Sequence, residues 1–216
     1  KANYFQKSRD TFPATDTGYA VFHDIPEPTL RRMKFLEDAD VRDRTDSTPL
    51  AKRLKQITPE VGRLLSILVA SAPTGDCLEV GTSAGYSTLW LAFACQISGH
   101  KLITFEILPE KIALARETFR IAGIENFVHQ IQGDARQQIK NFRNVAFCFL
   151  DADKDTYMAC YEAVIPNLVS GGILVADNIT SHESELRPFV QHVLADKRVD
   201  AVVVPIGRGE LVCRKV

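Results

Sequence analysis

From Cys77 to the C-terminus, short apolar runs alternate with longer stretches in which apolar residues recur every three or four positions. The short runs predict buried strands and the longer stretches predict amphipathic helices. Cys77–Val80, Leu102–Phe105, Phe127–Gln132, Val145–Leu150 and Gly172–Ala176 form the strand set. Tyr86–Ile97, Pro109–Ala122, Thr156–Leu168 and Glu183–Leu194 form the helix set, and Gly123 stops the second of these. On that helix Ile112, Ala115, Phe119 and Ala122 share one face. Val199–Pro205 and Glu210–Lys215 close the chain as two strands joined at Gly207-Arg-Gly209. Upstream, the chain is polar and irregular as far as Pro28. A helix is predicted from about Thr29 to Arg42, and another from Thr58 to Ala70 with Pro59 at its first position and Pro73-Thr-Gly75 as its breaker.

Strands and helices in alternation imply a mostly parallel sheet with helices on both faces, here with a C-terminal antiparallel hairpin. The expected fold class is therefore α/β, a single domain spanning 49–216, preceded by a helical and irregular segment over 1–48 with no linker between them. Ligands of such sheets bind beyond the carboxyl ends of the strands.

The 216 residues suffice for one well-buried core. Lys and Arg total 26 against 27 for Asp and Glu, a net charge of −1. A protein held to nucleic acid by phosphate neutralisation carries a basic surplus, so nucleic acid is not the expected partner. No apolar stretch is long enough to cross a bilayer, and the first ten residues lack the hydrophobic core of a signal peptide. Cys77, Cys95, Cys148, Cys160 and Cys213 form no C-x-x-C pair and mostly sit in apolar runs, as reduced buried thiols do. The expectation is a cytoplasmic protein.

Candidate chemistry lies at the strand ends. Leu78-Glu-Val-Gly-Thr-Ser-Ala-Gly-Tyr-Ser87 runs from a strand through a glycine turn into a helix. Gly81 and Gly85 let the backbone approach a ligand, and the helix start offers free N–H groups. Ser83 stands where a dinucleotide fingerprint has its second glycine. Glu79 would repel a pyrophosphate and can pair with the ammonium of an amino acid. Glu106, at the end of the next strand, can accept both hydroxyls of a ribose. An adenosyl ligand with an amino-acid tail satisfies all of this; the plainer alternative is an ordinary turn with two incidental acids. Gly133-Asp-Ala-Arg136 stands where an adenine would lie, with Ala135 giving room and Arg136 a face to stack on.

Asp151 follows one apolar strand, and Asp177-Asn178 end another. If those strands are neighbours, two carboxylates and an amide oxygen converge into a hard-ligand site for Mg²⁺ or a similar ion. The alternative makes Asp177-Asn178 a helix cap and Asp151 a lone strand-end acid. Lys154 can serve as a general base or stabilise an oxyanion, or simply pair with Asp155. His182 falls near the same place, although a surface role is commoner. Trp90 reads as core. Arg31-Arg-Met-Lys34, with Glu37, Asp38 and Asp40, reads as a solvated helix face.

Three motifs together resemble the metal-dependent O-methyltransferases, the group of catechol and caffeoyl-CoA O-methyltransferases. They are Leu78–Ser87, Leu150-Asp-Ala-Asp-Lys-Asp-Thr-Tyr157 and Gly171-Gly-Ile-Leu-Val-Ala-Asp-Asn178; Ile57-Thr-Pro-Glu60 and Leu194-Ala-Asp-Lys-Arg198 are similar too. The resemblance implies a Rossmann-like methyltransferase fold and a donor site for S-adenosylmethionine lined by Glu79, Gly81, Thr82, Ser87, Glu106, Ala135 and Asp153. It implies a divalent cation, Mg²⁺ first and Ca²⁺ or Mn²⁺ after it, on Asp151, Asp177 and Asn178. Lys154 would help deprotonate the acceptor. It further implies a homodimer whose N-terminal segment lies near the pocket of a small hydroxylated acceptor, catechol-like by the chelating power of a vicinal diol. Gly207-Arg-Gly209, where many members read Gly-Asp-Gly, and the short stretch after Asn178 depart from the family on the acceptor side. Methylation of a hydroxylated tRNA nucleoside and NAD-dependent oxidation are the rival activities.

Overall fold

The computed structural model describes residues 24–50 and 52–216. The irregular segment expected before residue 24 lies outside the described residues. Two helices come first, α1 (Glu27–Thr45) and α2 (Pro59–Ser71), the second capped by the Thr58 hydroxyl, which accepts from the Val61 N–H. The alternating part follows as β1 (Asp76–Val80), α3 (Tyr86–Ser98), β2 (Lys101–Glu106), α4 (Pro109–Ala122), β3 (Val128–Gln132), α5 (Ala135–Gln138), β4 (Val145–Leu150), α6 (Tyr157–Val164), β5 (Leu168–Ala176), α7 (Glu183–Ala195), β6 (Val199–Val204) and β7 (Glu210–Lys215).

One seven-stranded sheet results, in the order β3-β2-β1-β4-β5-β7-β6. The first five strands run parallel, and β7 lies antiparallel between β5 and β6. The order turns outward in both directions from β1 and β4, which places the crevice over their carboxyl ends. Side chains alternate to two cores. Cys77, Phe147, Phe149 and Val175 face α2 and α3, whereas Leu78, Cys148, Leu150 and Leu174 face α6 and α7. All five cysteines are buried and free.

Three elements differ from expectation. The helix predicted to reach Leu168 ends at Val164, because Pro166 has no N–H to continue it and Ile165–Asn167 tighten into a 3-10 turn. β5 then starts at Leu168 and bulges: Val145 pairs with Leu168 but Phe147 with Ile173, with Gly171 at φ +79°. The short α5, begun by the Asp134 side chain accepting from the Arg136 N–H, had no periodic signal.

The charged stretch of α1 is solvated only in part. Arg31–Glu27 and Lys34–Asp38 are exposed i,i+4 pairs, but Arg32 is buried and donates to the Thr118 hydroxyl of α4. With Met33 and Leu36 in the core, α1 packs as part of the same body as the sheet. Trp90 is core as read, its ring wedged against Gly62.

Candidate active site

A cavity of about 630 Å³ opens over the ends of β1, β2, β4 and β5. Gly81, Thr82, Ser87, Glu106, Ala135, Asp151, Asp153, Lys154 and Asn178 all line it. Glu79 and Asp177, the other two candidates, sit one layer behind its wall.

The glycine turn brings the two halves of the cavity together. Gly81 has φ +101°, and a Cβ there would stand 2.0 Å from the Asp151 carbonyl oxygen. Only glycine fits a left-handed backbone at that approach. The Gly81 and Thr82 N–H groups donate to the Phe105 carbonyl at 3.0 and 3.2 Å, which fixes the turn against β2.

On the β1–β2 side the acids are satisfied by the chain itself. Glu79 is fully buried and accepts from the hydroxyls of Ser87, Thr88 and Thr104 at 2.6, 2.6 and 2.7 Å. Burial pushes its carboxyl up to about 7 against the pull of those three donors. Its expected partner was a ligand ammonium; here it holds Ser87, which does reach the cavity. Glu106 accepts from the Ser83 N–H at 2.8 Å through one oxygen, and from the Ile107 and Leu108 N–H groups at 2.8 and 3.0 Å through the other. That fixes its carboxylate at the rim, where a ribose diol would meet it. Arg136 is clamped by Asp134 at 2.7 Å.

On the β4–β5 side the opposite holds. β4 and β5 are parallel neighbours, and the Asp177 N–H donates to the Leu150 carbonyl at 3.1 Å. The Asn178 amide nitrogen donates to Asp151 Oδ1 at 2.8 Å and to Asp177 Oδ2 at 2.9 Å, so both carboxylates converge on one point. Asn178 has φ +67°, a conformation that asparagine tolerates better than most residues and that turns its side chain inward. Its Oδ1 accepts only a 3.3 Å contact from Ser181, so an amide turned over on its axis would present three oxygens to the same point. Burial, then Asp177, pushes the Asp151 carboxyl up, and Lys154 opposes them. Oxygen donors crowded in this way fit a hard divalent cation.

The helix-cap alternative does not hold: α7 begins at Glu183, and the cap position is His182 with no side-chain bond. Lys154 pairs with Asp151 at 3.2 Å, and not with Asp155. Its ammonium also donates to the Ala152 carbonyl at 3.0 Å and to the Tyr157 hydroxyl at 2.8 Å, and Tyr157 donates on to the Asp177 carbonyl at 3.1 Å. His182 lines the cavity.

Two residues here escaped the sequence reading. Tyr157 looked like the start of a helix. Glu210 begins β7 and is wholly buried, its two carboxylate oxygens without a hydrogen-bond donor among the described residues. The register that pairs Ala176 with Leu211 sets it beside Asp177, and burial followed by the Asp177 charge pushes its carboxyl far up. An acid opening the otherwise apolar run Leu211-Val-Cys213 was the available signal. Elsewhere, Glu162, His192 and Asp196 cluster on the surface, but Arg198 already pairs with both acids.

The profile of the O-methyltransferase family matches residues 33–216. A caffeoyl-CoA O-methyltransferase of Stellaria longipes is 27% identical over 201 residues, covering 82% of each chain. One from Medicago sativa is 26% identical over 180 residues and covers 72% of each. Among solved structures, an O-methyltransferase from Bacillus cereus in complex with SAH superposes with a TM-score of 0.73 at 24% identity, over 92% of this chain and 96% of that one. An SAH-bound Podospora anserina methyltransferase gives 0.73 at 21% identity over 90% of both. At those identities the two structures speak for the fold, a Rossmann-like methyltransferase sheet.

Proposed function

This chain belongs to the O-methyltransferase family and is an S-adenosylmethionine-dependent enzyme, and we propose that it methylates one hydroxyl of a small vicinal diol of the catechol kind, held by a divalent cation, Mg²⁺ before Ca²⁺ or Mn²⁺. The observation that carries this reading is the convergence of Asp151 and Asp177 on the Asn178 amide at the wall of the cavity that Gly81, Ser87 and Glu106 line, with Asp151 and Asn178 themselves lining it.

When bound, S-adenosylmethionine supplies the methyl group, and the cation acts as Lewis acid and template for the acceptor oxygens. Glu106 receives the ribose hydroxyls, and Thr82, Ser87 and Asp153 border the rest of the donor, with Ala135 giving room for the adenine. Glu79 works through Ser87 and the turn, holding both in place. Asp151, Asp177 and Asn178 would hold the cation. Lys154 sets its side-chain nitrogen beside the acceptor, where it stabilises the oxyanion that attacks as the hydroxyl proton leaves to solvent. Fixing both reactants over one crevice supplies much of the remaining rate.

Segment 53–57 lines the cavity beside the glycine turn, where the Leu54 carbonyl accepts from the Ser83 hydroxyl at 3.1 Å. α1 anchors it: Asp43 accepts from the Leu54 N–H at 2.6 Å and Asp40 from the Gln56 N–H at 3.3 Å. This supports an N-terminal segment, 1–48, that borders the cavity, and family likeness supports its lying near the acceptor. Family likeness supports a homodimer. Five buried free thiols, and the lack of any helix among the described residues able to cross a membrane, support a cytoplasmic enzyme.

Turnover on catechols, monophenols and hydroxycinnamoyl thioesters, each with and without Mg²⁺, tests the reading. Vicinal diols should be methylated only with the cation. Equal rates on monophenols would overturn the chelating acceptor.

A further inference from the structure

We propose that Arg208 selects acceptors that carry a carboxylate, so that the preferred diol is an acid of the dihydroxybenzoate or dihydroxycinnamate kind. This rests on the reading of the cavity as a diol-methylating site.

Arg208 sits at the top of the β6–β7 turn and lines the cavity. Its backbone is fixed from three directions. The Arg208 carbonyl accepts from the Thr180 N–H at 2.9 Å, the Ser181 N–H at 3.2 Å and the Thr180 hydroxyl. Gly207 and Gly209 flank it at φ +57° and +87°, and a Cβ on either would run into Val61 or Thr180. The turn is therefore tied to the loop that carries Asn178, so that Arg208 and the proposed cation ligand move as one unit.

The guanidinium itself makes no hydrogen bond or ion pair with any described residue, while its field reaches Asp151 and favours the ionised carboxylate there. Every other arginine facing the cavity is engaged: Arg136 is clamped by Asp134, and Arg53 donates to the Thr48 carbonyl at 3.1 Å. The Lys111 ammonium donates to the Arg53 carbonyl at 2.9 Å. A half-buried planar cation with five free donors, carried on a turn whose backbone is fixed, suits bidentate recognition of a carboxylate. The diol oxygens and the carboxylate would then be read by two separate cations, one at Asp151 and one at residue 208. A cationic side chain on the acceptor would be repelled.

The test compares kcat/KM on three diols of similar size, one carboxylated, one neutral and one carrying an ammonium, together with a hydroxycinnamoyl thioester. Wild type should favour the carboxylated diol. In Arg208→Gln the ratio of carboxylated to neutral should fall about 10- to 100-fold, mostly through KM, which is the size of a lost charge-assisted pair. Arg208→Asp should invert the preference towards the ammonium-bearing diol. Both variants should keep the melting temperature and the S-adenosylhomocysteine affinity of wild type, which separates recognition from a folding defect. Ratios unchanged in both variants, or a loss confined to the thioester, would overturn the assignment. Wild-type turnover of none of the diols would sink the diol-methylating reading as well.

Discussion

The two ends of the cavity treat negative charge in opposite ways. Over β1 and β2, Glu79 and Glu106 are each met by three hydrogen-bond donors from the chain, hydroxyls for one and backbone N–H groups for the other. Over β4, β5 and β7, Asp151, Asp177 and Glu210 crowd together, served by the Asn178 side-chain amide, the Asn178 backbone N–H and the Lys154 ammonium, with no donor reaching the Glu210 carboxyl among the described residues. The first end is complete before any ligand arrives, as suits a donor held by shape and fixed hydrogen bonds. The second crowds three acids, one of them pushed far up by burial and the Asp177 charge, and a cation bound there would relieve the repulsion that remains. Gly81, whose Cβ would collide with the Asp151 carbonyl oxygen, is the joint between them.

Asp151→Ala should produce the largest effect, because it removes one side of the cation site and leaves the other end of the cavity whole. Methyl transfer should fall more than about 100-fold, the scale of a lost Lewis acid, with S-adenosylhomocysteine affinity changed less than about threefold by calorimetry. A parallel loss of both would erase the distinction between the two ends.

Glu210→Leu should act in the reverse direction. Removing a buried carboxyl with no donor should stabilise the cation-free protein by about 1–2 kcal/mol in denaturant unfolding, and should shrink the stabilisation that added Mg²⁺ provides. Destabilisation would mean that the protonated Glu210 carboxyl is held in place by donating to the Asp177 carboxylate.

Glu79→Gln addresses the complete end and should have the smallest effect, about 1 kcal/mol for the disturbed hydroxyl contacts. It also alters the pH dependence. Glu79 titrates at about 7 in the fold, above its ordinary 4.5. The protonated form is therefore the one the fold favours, and its contribution is complete below about 4.5 and lost as pH rises through 7. Wild type should lose stability across that window relative to the variant. Parallel melting curves across it would place the Glu79 carboxyl back at its ordinary value.

The sequence made the alternating elements plain, because each strand from Cys77 to Ala176 is a short apolar run bounded by turn residues. It also placed Asp151, Asp177 and Asn178, since polar residues that end buried strands have one edge to emerge from. It was blind where tertiary geometry decides. That Glu79 would be met by three hydroxyls from two other elements was not legible, because Thr104 lies on the neighbouring strand and Ser87 and Thr88 on the helix after the turn. Pro166 ended a helix that apolar spacing alone would have continued. Glu210 was hidden because its meaning depends on β7 lying beside β5, a pairing across more than thirty residues of chain. The freedom of Arg208 likewise appears only when its neighbours are known.

The most direct test follows methyl transfer from bound S-adenosylmethionine to a vicinal diol in one sample while Mg²⁺ is removed by a chelator and then restored. Transfer should stop and resume, with the donor bound throughout. Transfer that continues at its original rate in excess chelator would contradict the account.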